Sequence, residues 1–123
     1  MPTLINQSLE RVISKGAEYL SLGDLDLIRR AYEFTCTSFN RAHLVRYSGE
    51  PAIIHPLCVA ETLIDWRMDA PSIAAGILHD ILEDTPVSAF QLHATFKDEV
   101  TFLVEGMTKL RKFDLRADID INV

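Results

Sequence analysis

The stretch Ile77-Leu78-His79-Asp80-Ile81-Leu82-Glu83-Asp84 decides how this chain is interpreted. On a helix that turns by about 100° per residue, its one imidazole and three carboxylates form a narrow polar stripe. The remaining surface of that helix is apolar, because the other positions are Ala74, Ile77, Leu78, Ile81 and Leu82. The sequence therefore predicts an apolar helix that carries a stripe of metal-binding and acid–base side chains.

The predicted end of this helix adds an electrostatic argument. Thr85-Pro86 is expected to terminate it, so Asp80, Glu83 and Asp84 lie near the negative pole of the helix dipole. Each carboxylate is disfavoured there by a few tenths to about 1 kcal/mol. Since a bound cation would remove this conflict, the pattern indicates a divalent metal site.

Two residues of the stripe are the first candidates for metal ligands. His79 and Asp80 diverge by about 100° on a helix, yet both can reach one ion that lies between them. A neutral nitrogen and a carboxylate oxygen suit ions of the Mn, Fe, Zn or Mg type. His55, which lies between apolar residues at a predicted helix start, is the best third candidate, whereas His43 and His93 have polar or mixed neighbours and are expected at the surface. The alternative interpretation is that His79 is an ordinary histidine at a helix end, beside solvated carboxylates that bind no metal.

Two further pairs could act on a substrate. Glu83 and Asp84 lie one turn beyond the candidate ligands, where a carboxylate can orient or deprotonate an attacking water. Arg46 and Ser48 lie in a loop with Gly and Pro just before His55, and an arginine there can stack on a base or hold phosphate oxygens. The alternative interpretations are that Glu83 and Asp84 form ion pairs with a basic side chain, and that Arg46 is a solvated loop residue without a functional role.

The hydrophobic periodicity is helical along the whole chain. Ser21, followed by an acid three residues later, is a predicted N-cap, and Asp69-Ala70-Pro71 is a predicted helix start. Residues 46–51 break the periodicity and are predicted to form a loop. The fold class is all-α, with short helices around a central apolar one, at about residues 4–17, 22–42, 55–67, 70–84, 89–95 and 99–110.

Composition limits the class of protein. The chain has 123 residues, enough for one domain, with 48% hydrophobic and 24% charged residues, as in soluble globular proteins. The net charge of −6 gives no reason to expect DNA binding. No apolar run approaches the ~20 residues of a membrane span. Cys36 and Cys58 lack metal or redox spacing and are predicted to be core residues without a disulfide, so we expect a cytoplasmic protein.

The motifs together resemble one family. His55-Pro56, His79-Asp80 and Glu83-Asp84-Thr85, preceded by Arg46-Tyr47-Ser48-Gly49-Glu50-Pro51 and followed by G-x-T-K-L at 106–110, are similar to the hydrolase domain of the Rel/SpoT family. These proteins are alarmone synthetase/hydrolases of the HD phosphohydrolase superfamily. The resemblance implies an all-helical HD fold and a manganese cofactor. It also implies hydrolysis of the 3′-diphosphate of ppGpp and pppGpp, the alarmones of the stringent response, to GDP or GTP and pyrophosphate.

The same resemblance implies a role for each matching residue. It implies that His55, His79 and Asp80 are metal ligands. It implies that Glu83 and Asp84 position and activate the attacking water, and that Arg46 and Ser48 lie at the guanine end of the nucleotide.

The chain departs from the family pattern at three places. The family's fourth metal ligand, an Asp in a K-L-A-D-type motif on a later helix, has no counterpart here, since Asp114, Asp118 and Asp120 lie in a different context. The segment 40–44 replaces the usual A-H-x-G-Q, and Ala52 stands where a Tyr is common. We therefore expect residues 1–123 to form a single HD-type domain without its C-terminal part and without a synthetase domain, as a fragment of a longer bifunctional enzyme. An apolar face uncovered by truncation predicts weak self-association.

Two other functions remain open at this point. The domain could be a non-catalytic regulatory or interaction module with an HD fold, which the missing fourth ligand favours and the complete His79-Asp80 and Glu83-Asp84 pairs disfavour. It could also be an HD hydrolase of another nucleotide, such as a dNTP or a nicotinamide dinucleotide phosphate, because a metal motif does not specify the substrate.

Overall fold

The computed structural model describes residues 4–41 and 52–121, with side chains at 7–41 and 52–110. These residues are helical and include no strand, which confirms the all-α prediction. The predicted loop at 46–51 lies outside the described residues. The helices are α1 (Leu4–Gly16), α2 (Leu22–Arg41), α3 (Ile54–Asp65), α4 (Ala70–Leu78), α5 (Ile81–Asp84) and α6 (Ala89–Ile121).

The predicted helix starts are present where the capping residues lie. Ser21 and Asp24 form a reciprocal capping pair at α2, because each side chain accepts the other residue's backbone N–H at 3.1 Å. Ser88 and Gln91 make the same arrangement at the start of α6. These bonds satisfy N–H groups that have no partner inside the helix.

Helix α4 is the centre of the fold. Its first turn is capped by Asp69, whose Oδ1 accepts the Ser72 N–H at 2.9 Å, and Pro71 lies in that turn. Every residue from Ile73 to Leu78 is buried, and the helix packs against α2, α3 and α6. A helix that is apolar all round is stable only when it is surrounded in this way, as the sequence predicted.

The prediction of one continuous helix over residues 70–84 is wrong. Helix α4 ends at Leu78, and His79 and Asp80 form a turn before the four-residue helix α5. Asp80 has φ −92° and ψ −3°, outside the usual helical values. The His79 imidazole bonds to the Gly76 carbonyl, the acceptor that a continuing helix would use for the Asp80 N–H. The side chain therefore competes with the helix at the point where it ends.

The last two predicted helices are joined in α6. Lys97 has φ 66° and ψ −161°, so α6 is kinked at the predicted boundary between them. The predicted end at Leu110 is wrong, because the helical backbone continues to Ile121. No Gly or Pro occurs between 111 and 121 to stop it.

An ion-pair cluster fixes α3 to α1. Lys15 Nζ lies 2.9 Å from Glu61 Oε1 and 3.1 Å from Asp65 Oδ1, and Arg11 Nε lies 3.2 Å from Glu61 Oε2. The hydrogen bonds to these two carboxylates raise the pKa of Lys15 above its ordinary value. Such partly exposed pairs each contribute little to stability, and they add to the apolar packing between α1 and α3, the helix that carries His55.

The cysteine prediction is correct in part. Both cysteines are free, as expected. Cys36 is half-buried, but Cys58 is exposed, so it is not the core residue that the sequence predicted. Of the helices in the described part of the chain, none combines the length and the apolar character that crossing a bilayer requires.

Candidate metal centre

Three predicted ligands from two segments converge at one place. His55 lies in the first turn of α3, and His79 and Asp80 follow the end of α4. His79 Nε2 is 3.1 Å from Asp80 Oδ2, and His55 Nε2 is 4.0 Å from the same oxygen. One ligand atom from each residue lies within 4.8 Å of the other two. Residues 24 positions apart in the sequence are thus brought to one point by the packing of α3 on α4.

The ring of His79 is held in a defined orientation. Its Nδ1 lies 2.5 Å from the Gly76 carbonyl oxygen. A carbonyl can only accept, so Nδ1 carries the proton and donates it. In the neutral ring this tautomer leaves the lone pair on Nε2, the nitrogen that faces Asp80. Histidines that bind metals are commonly fixed by such a bond from the other ring nitrogen.

The donor set fits a divalent cation. Two bonds of about 2.1 Å at about 90–110° place adjacent ligand atoms roughly 3.0–3.4 Å apart. The His79–Asp80 distance matches this range, whereas His55 Nε2, at 4.0 Å from Asp80 Oδ2, has to move closer to join them. With a neutral His79 ring, His79 Nε2 and Asp80 Oδ2 are both electron-rich, so a positive charge beside them stabilises their approach. The negative pole of α4 ends at Leu78, directly before the pair, and it also favours a cation. His79 and Asp80 are only partly exposed, which limits screening by water.

The acidic pair occupies the next turn of the chain. Glu83 and Asp84 lie in α5, and both backbone N–H groups donate to the Asp80 carbonyl, at 3.2 and 2.9 Å. Both residues are exposed, so their carboxylates are reachable by water and by a substrate. The predicted dipole conflict does not apply to them, because they belong to a separate four-residue helix rather than to the end of α4.

The other residues considered in the sequence lie outside the three-residue cluster or outside the described part of the chain. Arg46, Ser48 and His43 lie outside the described residues. His93 is exposed, as predicted, and it contacts Asp98 across the kink of α6. Gly76, whose carbonyl bonds to His79, was not among the predicted site residues. Its one signal in the sequence is a glycine inside an otherwise apolar helix.

A cavity of about 600 Å³ lies elsewhere, between α2 and the first part of α6. It has charged and aromatic lining, and it includes none of the candidate ligands or the acidic pair. The functional assignment therefore follows the cluster of converging side chains, because cavity size alone carries no chemistry. Its lining includes Arg30, Glu33, Phe34, Arg41 and Phe90.

Comparison with known proteins agrees with this geometry. The HD domain family matches residues 31–118, well over half of the chain, and the match contains the three converging ligands and the acidic pair. The chain belongs to the HD domain family. The all-helical fold is thus that of an HD domain.

Curated relatives match the same HD domain. The chain is 40% identical over 114 residues to a protein named GTP pyrophosphokinase from Myxococcus xanthus, covering 93% of the chain and 15% of that protein. It is 43% identical over 112 residues to a probable guanosine-3′,5′-bis(diphosphate) 3′-pyrophosphohydrolase from Synechocystis, covering 90% and 14%. It is 36% identical over 114 residues to the guanosine-3′,5′-bis(diphosphate) 3′-pyrophosphohydrolase from Aquifex aeolicus, covering 93% and 15%. These relatives confirm the resemblance to Rel/SpoT proteins, and the chain spans about one seventh of their length.

Proposed function

We propose that this HD domain is the hydrolase part of a Rel/SpoT enzyme that removes the 3′-diphosphate from ppGpp and pppGpp in a manganese-dependent reaction. The observation that carries the proposal is the convergence of His55, His79 and Asp80 on one point, with Nε2 of His79 presented by the bond to Gly76. The names of the relatives support the substrate class. The free cysteines agree with a cytoplasmic setting, which we also propose.

The reaction needs both stabilisation of negative charge and removal of a proton. A water oxygen attacks the phosphorus bonded to the ribose 3′ oxygen, that P–O bond breaks, and the 3′ oxygen takes up a proton. The products are GDP or GTP and pyrophosphate. A divalent cation supplies charge stabilisation at the phosphate and lowers the pKa of the attacking water.

Each residue has a proposed task in this scheme. His55, His79 and Asp80 hold the cation. Glu83 and Asp84, exposed on the following turn, orient the water and accept its proton.

Binding of the nucleotide adds two groups from the loop before α3. Arg46 and Ser48 bind the guanine end, a role that rests on the motif match alone. The first turn of α3 also favours an anionic substrate, because the N-cap residue Ile53 makes no side-chain cap bond and the positive pole of the helix lies beside His55.

The test is pyrophosphate release from ppGpp in the presence of Mn²⁺. The chain is compared with a longer version that continues through the later helix expected to supply a fourth ligand, and with Glu83→Gln in both. We expect release by the longer version and at least a hundredfold slower release by its Glu83→Gln variant, since general bases contribute about 10²–10⁴-fold.

The alternatives predict different results. No release from either native version, with Mn²⁺ bound, would favour a non-catalytic module. Release from a dNTP or a nicotinamide dinucleotide phosphate but not from ppGpp would assign another nucleotide. Full activity of Glu83→Gln would remove Glu83 from the mechanism.

A further inference from the structure

We infer that Gly76 is a positioning residue that sets the geometry of the metal centre from both sides. The inference rests on the proposed function, because it concerns the site that holds the cation. Gly76 lies inside α4, one turn before His79, and it is buried. It touches none of the reacting groups, and it acts through the two histidines.

The first action is on His79. The Gly76 carbonyl accepts the Nδ1 proton, so the backbone at this position fixes the plane of the ring and its tautomer. A shift of α4 at residue 76 would move the direction in which Nε2 points. Partners of this kind in other metal sites change metal affinity by about 10–100-fold when they are altered.

The second action is on His55, through the packing of α3. A Cβ at position 76 would lie 2.7 Å from Leu63 Cδ1 and 3.2 Å from Val59 Cγ1. The first distance is too short for a real contact, so α3 or the Leu63 side chain has to move. A glycine at position 76 thus lets α3 and α4 approach this closely with the Leu63 side chain in its present position.

These contacts lie on the stripe of α3 that also carries His55. Val59 and Leu63 follow His55 by four and eight residues, one and about two turns along the same face. A displacement of that face from α4 separates His55 Nε2 from Asp80 Oδ2, which are 4.0 Å apart. Gly76 thus determines the position of His55 by packing and the orientation of His79 by a hydrogen bond.

The test is the affinity for Mn²⁺, measured by calorimetry for the native chain, Gly76→Ala, Leu63→Ala and the double variant. We expect Gly76→Ala to weaken binding about tenfold, the lower end of the range for altered partners, because alanine keeps the carbonyl and acts only by displacing α3 or α4. Leu63→Ala should bind nearly as the native chain does. The double variant should recover most of the lost affinity, since it lacks the Cδ1 atom that the new methyl group meets. Urea unfolding of the same variants separates a change in Mn²⁺ affinity from a change in stability, since the inference predicts that affinity falls while the protein remains folded.

Gly106→Ala is the matched control. Gly106 also lies in a helix, but a Cβ there would meet no atom within 4 Å. This variant should bind Mn²⁺ as the native chain does, and circular dichroism should show native helicity for all variants.

The outcomes separate the inference from the proposed function. No Mn²⁺ binding by the native chain would overturn the metal centre and this inference with it. Native binding together with unchanged affinity in Gly76→Ala would overturn the role of Gly76 alone. A loss of affinity that persists in the double variant would overturn the packing route through Leu63.

Discussion

Replacing Asp69 by alanine tests how far the capping of α4 supports the whole fold. Asp69 Oδ1 accepts the Ser72 N–H at 2.9 Å, and alanine leaves that N–H to water. Loss of an Asp N-cap costs about 0.5–2 kcal/mol, typically near 1 kcal/mol. Because α4 packs against α2, α3 and α6, we expect the cost to appear in the global free energy of unfolding rather than in local fraying.

Urea unfolding followed by circular dichroism measures this change at neutral pH. A loss of about 1 kcal/mol corresponds to a fall in Tm of roughly 3–5 °C for a domain of this size. Asp69→Asn is the matched control, since asparagine caps about as well as aspartate. Stability unchanged in Asp69→Ala, or a loss in Asp69→Asn equal to that in Asp69→Ala, would refute the capping argument.

The pH dependence of the free energy of unfolding is a second test of the Asp69 cap. The hydrogen bonds from Ser72, those of its side chain and its backbone, lower the pKa of Asp69 below the ordinary value of 3.8. A lowered pKa in the folded state means that the contribution is fully present above the unfolded pKa. It is lost as the pH falls through the folded pKa. The difference in stability between the native chain and Asp69→Asn should therefore change below about pH 4 and stay constant above it.

Three further changes have expected outcomes. Ile77→Ala removes a fully buried side chain from the middle of α4 and should cost about 2–5 kcal/mol in urea unfolding, whereas Leu22→Ala, at an exposed position, should change stability by less than about 0.5 kcal/mol. Gly106→Ala should raise the free energy of unfolding by about 0.5–1 kcal/mol, because alanine is the better helix former and a Cβ has room there. A lower free energy of unfolding would show that the added methyl group meets another atom. Phe102 and Leu110 are exposed on α6, at 77% and 66%, so Phe102→Ser should reduce self-association in sedimentation velocity, and a monomeric native chain at high concentration would contradict this expectation.

The helices that the sequence predicted well are those with local signals. Ser21 with Asp24 and Asp69 with Pro71 are short-range patterns whose bonds form within one turn. The apolar pattern of α4 likewise predicted its central position. Such features depend on neighbours along the chain, so a sequence shows them directly.

The errors arose where side chains compete with the helical backbone or where no stop signal is present. The break after Leu78 coincides with a bond between the His79 ring and the Gly76 carbonyl, which hydrophobic periodicity does not predict. The continuation of α6 beyond Leu110 follows from the absence of a helix-breaking residue.

The candidate site was predictable in its residue types but not in its geometry. His79 and Asp80 are adjacent in sequence, and their pairing with apolar neighbours indicated a metal. The approach of His55 depends on the distance between α3 and α4, at a contact where a Cβ on residue 76 would meet Leu63. Only the packed structure contains that distance.

The most direct test of the account is an Mn²⁺ titration of the native chain and of His79→Ala by calorimetry, with circular dichroism to establish that both are folded. The account predicts one bound ion for the native chain and no measurable binding by His79→Ala, because the variant lacks the ligand atom 3.1 Å from Asp80 Oδ2. Equal Mn²⁺ affinity in a folded His79→Ala variant would contradict the assignment of the metal centre.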